Sequence, residues 1–278
     1  MTPIALTIAG SDSSGGAGIQ ADLKTFSALG VYGATVLTAL TAQNTQGVAA
    51  IHDVPPDFIA AQIDAVFSDL DIAAVKIGMV GRAAAVEAVA RGLIRHKAKN
   101  VVLDPVMVAS TGATLIARDA VDALRRLLIP RALLVTPNLP EAAALTGGSL
   151  ARNEREMESQ AREILSLGAR YVLIKGGHGK GEEVVDLLIG QGETVRFGGK
   201  RIATRNTHGT GCTLAAAIAA GLAKGGDAAA GLVTGRDLVA AVRQAKTYVT
   251  AAIAAADQLN VGRGHGPLHH FHAQWSRS

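Results

Sequence analysis

The sequence predicts an α/β protein in which a mainly parallel sheet is covered by helices on both faces. Short runs rich in Val, Ile and Leu alternate with amphipathic segments, which is the pattern of repeated strand and helix units. Of the 278 residues, 49% are hydrophobic and only 3% are aromatic, so Ala, Leu, Val and Ile must form the core. A chain of this class and length often forms one core. We therefore expect a single domain that covers residues 1–278.

The first predicted unit is a strand, a glycine-rich loop and a helix. Residues 4–9 form an apolar run that ends at Gly10, the loop extends to Gly18, and a helical pattern covers residues 19–29. Two common phosphate-binding motifs do not fit this loop. It lacks the lysine of a P-loop, and no acidic residue stands where the dinucleotide-binding fold places its ribose partner. Asp22 is either an ordinary charge in the first helical turn or, if it faces the loop, a ligand-binding residue.

Strands and helices then alternate along most of the chain. Strands are expected over residues 33–44, 73–77, 101–103, 132–136 and 171–174. Helices are expected over residues 56–68, 83–96, 117–128, 154–167, 211–224 and 236–258. Two strand-like runs bounded by glycines, residues 184–189 and 194–197, predict an antiparallel edge. The other strands are hydrophobic and separated by helices, so we expect them to be parallel.

Polar side chains follow the ends of four predicted strands. Gln43 lies at the end of the second strand, and Asp104, Glu141 and Lys175 follow three later ones. Ligands in open α/β sheets bind at the carboxyl ends of the strands, so we expect these side chains to line one edge of the sheet. Taken singly, Lys175 could be a surface lysine, and Asp104, which precedes a proline, could be a turn residue. Their shared position favours a nucleotide site.

A second glycine-containing loop directly precedes the helix expected over residues 211–224. It reads Asn-Thr-His-Gly-Thr-Gly-Cys-Thr over residues 206–213. Gly209 and Gly211 let the backbone approach a ligand, and the N–H groups and dipole of a helix start favour an anion. This pattern predicts a phosphate-binding loop. The ordinary alternative is a helix-capping loop in which Cys212 is a small buried hydrophobic side chain.

Charge, cysteine content and hydropathy exclude several classes of protein. The net charge is only +4, with a pI near 9.4, and the basic residues are scattered, so we expect no nucleic-acid partner. The single cysteine excludes an intramolecular disulfide and a multi-cysteine metal cluster, which fits a cytoplasmic protein. No apolar run approaches the roughly 18 residues of a membrane span, and no basic segment precedes the first apolar run. We therefore expect no membrane partner.

The C-terminal residues 264–272 hold four of the eight histidines. A metal site is one interpretation of this composition. The run lacks helical spacing and carboxylate partners, which favours a packing role or a contact between subunits instead.

Phosphoryl transfer depends on positioning and charge neutralisation, and this sequence offers the groups it needs. The loop with Gly209 and Gly211 can hold the transferred group, and Lys175 can reach the phosphate chain. Asp104 and Glu141 can hold Mg²⁺ directly or through water. Together these residues predict a kinase.

Seven segments carry a resemblance to a known family. They cover residues 7–24, 42–44, 76–79, 136–141, 175–178, 206–213 and 266–272. The chain resembles the hydroxymethylpyrimidine/phosphomethylpyrimidine kinases of thiamine biosynthesis, which belong to the ribokinase superfamily. The glycine-rich loop near the N-terminus and the cysteine-containing loop are the motifs most specific to this family. The Lys-Gly-Gly motif alone is weak evidence for it.

The resemblance implies a ribokinase-like three-layer sandwich, a homodimer, and the use of ATP and Mg²⁺. It implies two successive phosphorylations of 4-amino-5-hydroxymethyl-2-methylpyrimidine, first to the monophosphate and then to the diphosphate. By position it assigns the pyrimidine site to Gly10, Asp22, Gln43, Met79 and Val106. By position it assigns the ATP site to Asn138, Lys175, Thr207 and Gly209.

Cys212 stands where most members of the superfamily have an aspartate base. A thiol among backbone N–H donors at a helix start is expected to have a lowered pKa, so that it could take the hydroxymethyl proton. Two alternative functions are a pyridoxal kinase on the same fold and a catalytically silent vitamin-sensing module. Gln43 and Cys212 argue against the first, and the set Asp104, Glu141 and Lys175 argues against the second.

Overall fold

The computed structural model describes residues 2–108, 115–179, 181–190, 192–225 and 234–275. The strands are β1 (Ile4–Asp12), β2 (Tyr32–Asn44), β3 (Gly47–Asp53), β4 (Ala74–Ile77), β5 (Val101–Leu103), β6 (Leu134–Val135), β7 (Tyr171–Lys175), β8 (Glu183–Ile189) and β9 (Thr194–Lys200). The α-helices are α1 (Gly18–Ala28), α2 (Pro56–Asp69), α3 (Ala83–Arg95), α4 (Arg118–Ala123), α5 (Leu139–Thr146), α6 (Glu154–Ser166), α7 (Thr210–Lys224) and α8 (Gly235–Ala254).

Six parallel strands form the centre of a nine-stranded sheet. The strand order is β3-β2-β1-β4-β5-β6-β7-β8-β9, and every neighbouring pair from β2 to β7 is parallel. β3 pairs antiparallel with β2 at one edge, and β8 and β9 are antiparallel at the other. The predicted α/β architecture and its antiparallel edge are confirmed.

Aliphatic side chains fill one core on each face of the sheet. The first core includes Ile63 of α2 and Ile164 of α6. The second includes Ile218 of α7 and the buried faces of α1 and α8. A Cβ built on Gly221 of α7 would lie only 3.1 Å from the Ala241 side chain of α8, so small residues let these two helices approach closely. The helices thus cover both faces, as the hydrophobic parallel strands require.

Two elements have no counterpart among the predicted ones. β3 is mostly exposed, so its sequence lacks the apolar alternation of a half-buried strand. α5 begins with Leu-Pro-Glu, a run typical of turns, although proline is favourable in the first turn of a helix. The helix is started by a reciprocal capping box between Asn138 and Glu141. Among the described residues, no helix is both long enough and apolar enough to cross a membrane.

Candidate active site

A cavity of about 1480 Å³ extends across the carboxyl ends of the central strands. It brings together nearly all the predicted site residues. Its lining includes Gly10, Gln43, Met79, Asp104, Val106, Asn138, Glu141, Lys175, Thr207, Gly209, Gly211 and Cys212. Their convergence follows from the parallel sheet, because the carboxyl ends of its strands share one edge.

The loop before α7 packs against the glycine-rich loop that follows β1. Gly209 has a φ of +83°, a conformation that glycine adopts without steric cost. A Cβ at this position would collide with the backbone oxygen of Gly16. A Cβ on Gly211 would lie 3.2 Å from Lys175 Nζ and 3.6 Å from Asp104 Oδ2. The two glycines therefore allow a close approach of two loops and of two charged groups to the start of α7.

Lys175 lies between two buried carboxylates. Its Nζ is 2.7 Å from Asp104 Oδ1 and 3.9 Å from Glu141 Oε2, and Thr136 donates a hydrogen bond to Asp104 Oδ1 over 3.1 Å. Burial raises the pKa of Glu141 above its usual range, although Lys175 opposes this shift. Glu141 also accepts the backbone N–H of Asn138 at 2.8 Å. It therefore has a structural role in α5 as well as a place in the cavity wall.

The pKa of Cys212 differs from the expectation. Burial, together with the carboxylates of Asp22 and Asp104, raises the pKa of its thiol to about 11, although Lys76 and a backbone hydrogen bond from Gly18 oppose this shift. The expected lowered pKa is therefore wrong. The sequence places Cys212 correctly at a helix start, but it does not reveal which carboxylates pack beneath that helix.

Asp22 lies behind the cavity rather than in its wall. The residue has no exposed surface, and its Oδ2 accepts hydrogen bonds from Lys76 Nζ at 2.8 Å and from the Thr7 hydroxyl at 2.6 Å. The expectation that Asp22 faces the cavity is therefore wrong, and its assignment to the pyrimidine site stays a prediction. Its carboxylate compensates the buried ammonium of Lys76, a partner that the strand-end pattern does not predict. A lysine inside the apolar run Ala-Val-Lys-Ile is the signal that could have revealed it.

Asp12 and His208 join the two glycine loops, and the sequence patterns do not identify them as a pair. His208 Nε2 lies 2.8 Å from Asp12 Oδ2. Asp12 also accepts the backbone N–H groups of Ser14, Gly16 and Ala17. Burial would raise the pKa of Asp12, but the hydrogen bonds from His208 and Ser14 hold it well below its usual range. The position of Asp12 directly before the glycine-rich turn is the sequence signal for this role.

The end of the cavity that holds Gln43 combines apolar and polar walls. The Met79 methyl group lies 2.8 Å from the position that a Cβ on Gly10 would take, so Gly10 makes room for Met79. Val106 contributes a further apolar surface, and Gln43 contributes an amide beside Thr41 and His208. This combination can hold a small heteroaromatic ring with polar edges.

The histidine-rich tail packs against α7 and α8. His270 Nε2 lies 3.0 Å from the Thr213 hydroxyl of α7, and Tyr248 of α8 donates to the His270 carbonyl. Trp275 packs edge-on against His269 and stacks on Phe271. The predicted packing role is confirmed.

The fold and the cavity define a ribokinase-like small-molecule kinase. A family model described as phosphomethylpyrimidine kinase matches residues 12–269. The hydroxymethylpyrimidine/phosphomethylpyrimidine kinase of Rhizobium meliloti is 59% identical over 275 residues, which are 99% of each chain. The chain belongs to the phosphomethylpyrimidine kinase family.

Two further proteins extend the comparison. The thiamine biosynthesis bifunctional protein ThiED of Geobacter sulfurreducens is 53% identical over 266 residues, which are 96% of this chain and 52% of that protein. A solved structure of the pyridoxal kinase from Staphylococcus aureus, in complex with AMP-PCP and pyridoxal, matches with a TM-score of 0.87 and 31% identity. The match covers 99% of this chain and 95% of that one. The ribokinase-like fold expected from the sequence is confirmed.

Proposed function

We propose that this chain transfers the γ-phosphoryl group of ATP to the hydroxymethyl oxygen of 4-amino-5-hydroxymethyl-2-methylpyrimidine. A second transfer converts the monophosphate to the diphosphate, as a step of thiamine biosynthesis. One observation carries this proposal. A single cavity is lined at one part by Lys175 and the start of α7, and at another part by Gln43. The first part suits a phosphate chain, and the second suits a small ring with polar edges.

The residues of this chain act mainly by holding charge and position. The backbone N–H groups at the start of α7, which carries Gly211 and Cys212, point toward the transferred group, and Lys175 neutralises the phosphate chain. Because the transition state of phosphoryl transfer is loose, little help from a base is required. A second phosphorylation is compatible with this site, since a loop that holds an anion can receive an acceptor that already carries a phosphate.

Cys212 is proposed to orient the acceptor hydroxyl rather than to exist as a thiolate. With a pKa of about 11, its thiol is protonated at neutral pH and can form hydrogen bonds with a hydroxymethyl group. Cys212→Ala should then lower kcat by roughly 2- to 10-fold, the effect of losing one hydrogen bond, while ATP still binds, and Cys212→Asp should keep part of the activity. Full activity of a folded Cys212→Ala protein would end this assignment.

Asp104 and Glu141 fit Mg²⁺, because this ion is usually held by one or two carboxylates together with substrate phosphates. Both side chains are buried, and their negative charge already stabilises the Lys175 ammonium between them. Asp104 Oδ2 lies close to the start of α7, beside the backbone of Gly211. When bound, Mg²⁺ would neutralise charge on the phosphates of ATP. Asn138 and Thr207 are proposed to contact the nucleotide, since both line the same cavity.

The test is to incubate the purified protein with MgATP and the hydroxymethylpyrimidine and to separate the products by chromatography. The monophosphate should appear first and the diphosphate should follow. If the second product never forms, the proposal of two successive transfers is wrong. Pyridoxal, tested in parallel, measures the alternative activity suggested by the structural neighbour. A vitamin-sensing module would bind the pyrimidine without turnover.

We also propose one domain and a cytoplasmic homodimer. β3 lies at the edge of the sheet, and the hairpin formed by β2 and β3 exposes Leu40 and Ile51. Exposed apolar side chains on an edge hairpin favour pairing with a second copy. Light scattering should give twice the chain mass, and Ile51→Glu should give the monomer mass. A monomeric wild-type protein would contradict the proposed dimer. Cell fractionation tests whether the protein is cytoplasmic.

A further inference from the structure

Gln43 lies between two polar neighbours at the pyrimidine end of the cavity. As the two amide atoms are assigned, Gln43 Oε1 lies 3.0 Å from the Thr41 hydroxyl and Gln43 Nε2 lies 3.4 Å from His208 Nε2. Thr41 and His208 are buried, whereas Gln43 is half-buried and lines the cavity. The amide nitrogen and oxygen are nearly equal in size, so hydrogen-bond partners decide which atom faces which neighbour.

The Thr41 hydroxyl has one proton, and its environment commits that proton elsewhere. The hydroxyl oxygen lies 2.8 Å from the backbone carbonyl oxygen of Ser11, and a carbonyl oxygen can only accept. Thr41 therefore donates to Ser11 and offers only a lone pair to Gln43. The group of Gln43 that faces Thr41 must then be its NH₂ group, which reverses the assignment of the amide nitrogen and oxygen.

Asp12 determines the proton of His208 in the same manner. Its Oδ2 lies 2.8 Å from His208 Nε2 and also accepts the N–H groups of Gly16 and Ala17. A carboxylate with these donors is ionised and only accepts, so His208 Nε2 carries a proton. A protonated ring nitrogen cannot accept from an amide N–H. The group of Gln43 that faces His208 is therefore its carbonyl oxygen, in a long contact that orients the amide rather than binds it strongly.

We propose that Thr41 and the Asp12–His208 pair are positioning residues that lock the Gln43 amide in one orientation and thereby select a 4-aminopyrimidine over its 4-oxo analogue. Thr41 and His208 demand the same orientation independently, with NH₂ toward Thr41 and the carbonyl toward His208. The second N–H of the amide and the second lone pair of its oxygen then remain for a ligand in a fixed order.

The order of donor and acceptor distinguishes the two pyrimidines. A 4-aminopyrimidine presents an amino donor beside a ring-nitrogen acceptor, whereas the 4-oxo compound presents an oxygen acceptor beside a ring N–H donor. A glutamine amide pairs with the first edge by two hydrogen bonds, as it does with adenine. The ring cannot turn over to compensate, because its hydroxymethyl group must reach the start of α7; this step rests on the proposed function.

The test compares kcat/KM for the 4-amino substrate with kcat/KM for 5-hydroxymethyl-2-methylpyrimidin-4-one. The wild-type ratio should be about 10² or more, because a mismatched edge leaves buried polar groups unpaired. His208→Met and Thr41→Val should each lower this ratio by about tenfold, since a freed amide can rotate to match the oxo compound. His208→Gln, whose amide can donate in place of Nε2–H, should keep the ratio.

His270→Met is the matched control. His270 is as buried as His208 and contacts Thr213 of α7, so its loss should lower the melting temperature without changing the substrate ratio. If folded His208→Met and Thr41→Val proteins both keep the wild-type ratio, the amide lock is overturned. If the wild-type protein fails to phosphorylate the 4-amino substrate at all, the proposed function itself is rejected, and the two failures are distinct.

Discussion

At the scale of single residues, a buried ion pair influences the electrostatic surroundings of Cys212 at the start of α7. Lys76 and Asp22 are both fully buried, and their charged atoms are 2.8 Å apart. The second carboxylate oxygen of Asp22 has no hydrogen-bond partner among the described residues. The pair acts on Cys212 with opposite signs, since Lys76 favours the thiolate and Asp22 favours the thiol.

The rate at which Cys212 is alkylated should depend on pH as expected for a thiol with a raised pKa. It is the only cysteine in the chain, and it is half-buried and lines the cavity, so iodoacetamide consumption reports on this thiol alone. Only the thiolate reacts. With a pKa of about 11, the rate should rise by about tenfold per pH unit from roughly pH 7 to pH 10. A plateau already reached below pH 8 would show that the thiol has the lowered pKa expected from the sequence.

Substitutions in the ion pair should change that profile in opposite directions. Lys76→Met removes the cation and should slow alkylation at a fixed pH, whereas Asp22→Asn removes the anion and should accelerate it. Each change leaves a buried charge uncompensated and should cost about 3–5 kcal/mol of the free energy of unfolding. Rates that move in the same direction in both folded variants would indicate a general loss of packing rather than an electrostatic effect.

Gln43→Ala should weaken binding of the pyrimidine by about 1–3 kcal/mol, the usual cost of removing one partner of a buried hydrogen bond. ATP affinity should remain nearly unchanged, because the groups that we propose to bind phosphate lie at the start of α7. Isothermal calorimetry with each ligand measures both quantities. Gln62→Ala is a suitable control, since Gln62 also bonds to β2, at the Leu37 backbone. An equal loss of both affinities in Gln43→Ala would assign Gln43 a structural role.

At the scale of elements, the start of α7 depends on two glycines for different reasons. Gly209 has a positive φ, and a Cβ there would strike the backbone of Gly16. Neither constraint can relax without separating the two loops. At Gly211, by contrast, the nearest atom to a built Cβ is the Lys175 ammonium at 3.2 Å, which is the end of a flexible side chain. One glycine therefore maintains the fold of the loops, and the other keeps Lys175 in place.

Alanine substitutions should separate these two roles. Gly209→Ala should lower the free energy of unfolding by about 1–3 kcal/mol because of backbone strain. Gly211→Ala should change stability little but lower kcat, because it displaces Lys175 from the start of α7. Thermal denaturation and steady-state kinetics of both variants measure the two effects. A Gly211→Ala protein that is strongly destabilised, with normal turnover per folded molecule, would contradict this division.

The sequence predicts elements well where they are buried and periodic. The central strands and the long helices agree with the predicted ones. The strands are hydrophobic because both of their faces are buried, and the helices show the apolar periodicity of one buried face. β3 is not predicted because its side chains are mostly exposed, and α5 is not predicted because its capping box starts with turn-like residues. In the site, strand ends identify Asp104, Glu141 and Lys175, since the sheet itself brings them together. The partners of Asp22 and the pKa of Cys212 depend on contacts between distant segments, which no local pattern encodes.

At the scale of the whole molecule, one sheet carries two cores. The core that contains Ile63 and the core that contains Ile218 lie on opposite faces of the same parallel strands. Neither core can lose its packing without exposing one face of those strands to water. The active-site cavity also spans strand ends from β1 to β7. Stability of both faces and integrity of the site are thus coupled through the sheet.

This coupling predicts a single unfolding transition that responds to damage on either face. Ile63→Ala and Ile218→Ala each remove a fully buried side chain and should each lower the free energy of unfolding by about 2–5 kcal/mol. Calorimetry should show one transition in both variants, with equal calorimetric and van't Hoff enthalpies. Ile94→Ala, at an exposed position of α3, should leave the transition nearly unchanged. If each core variant shifted a separate transition and left the other in place, the two faces would be independent units and the single domain would be wrong.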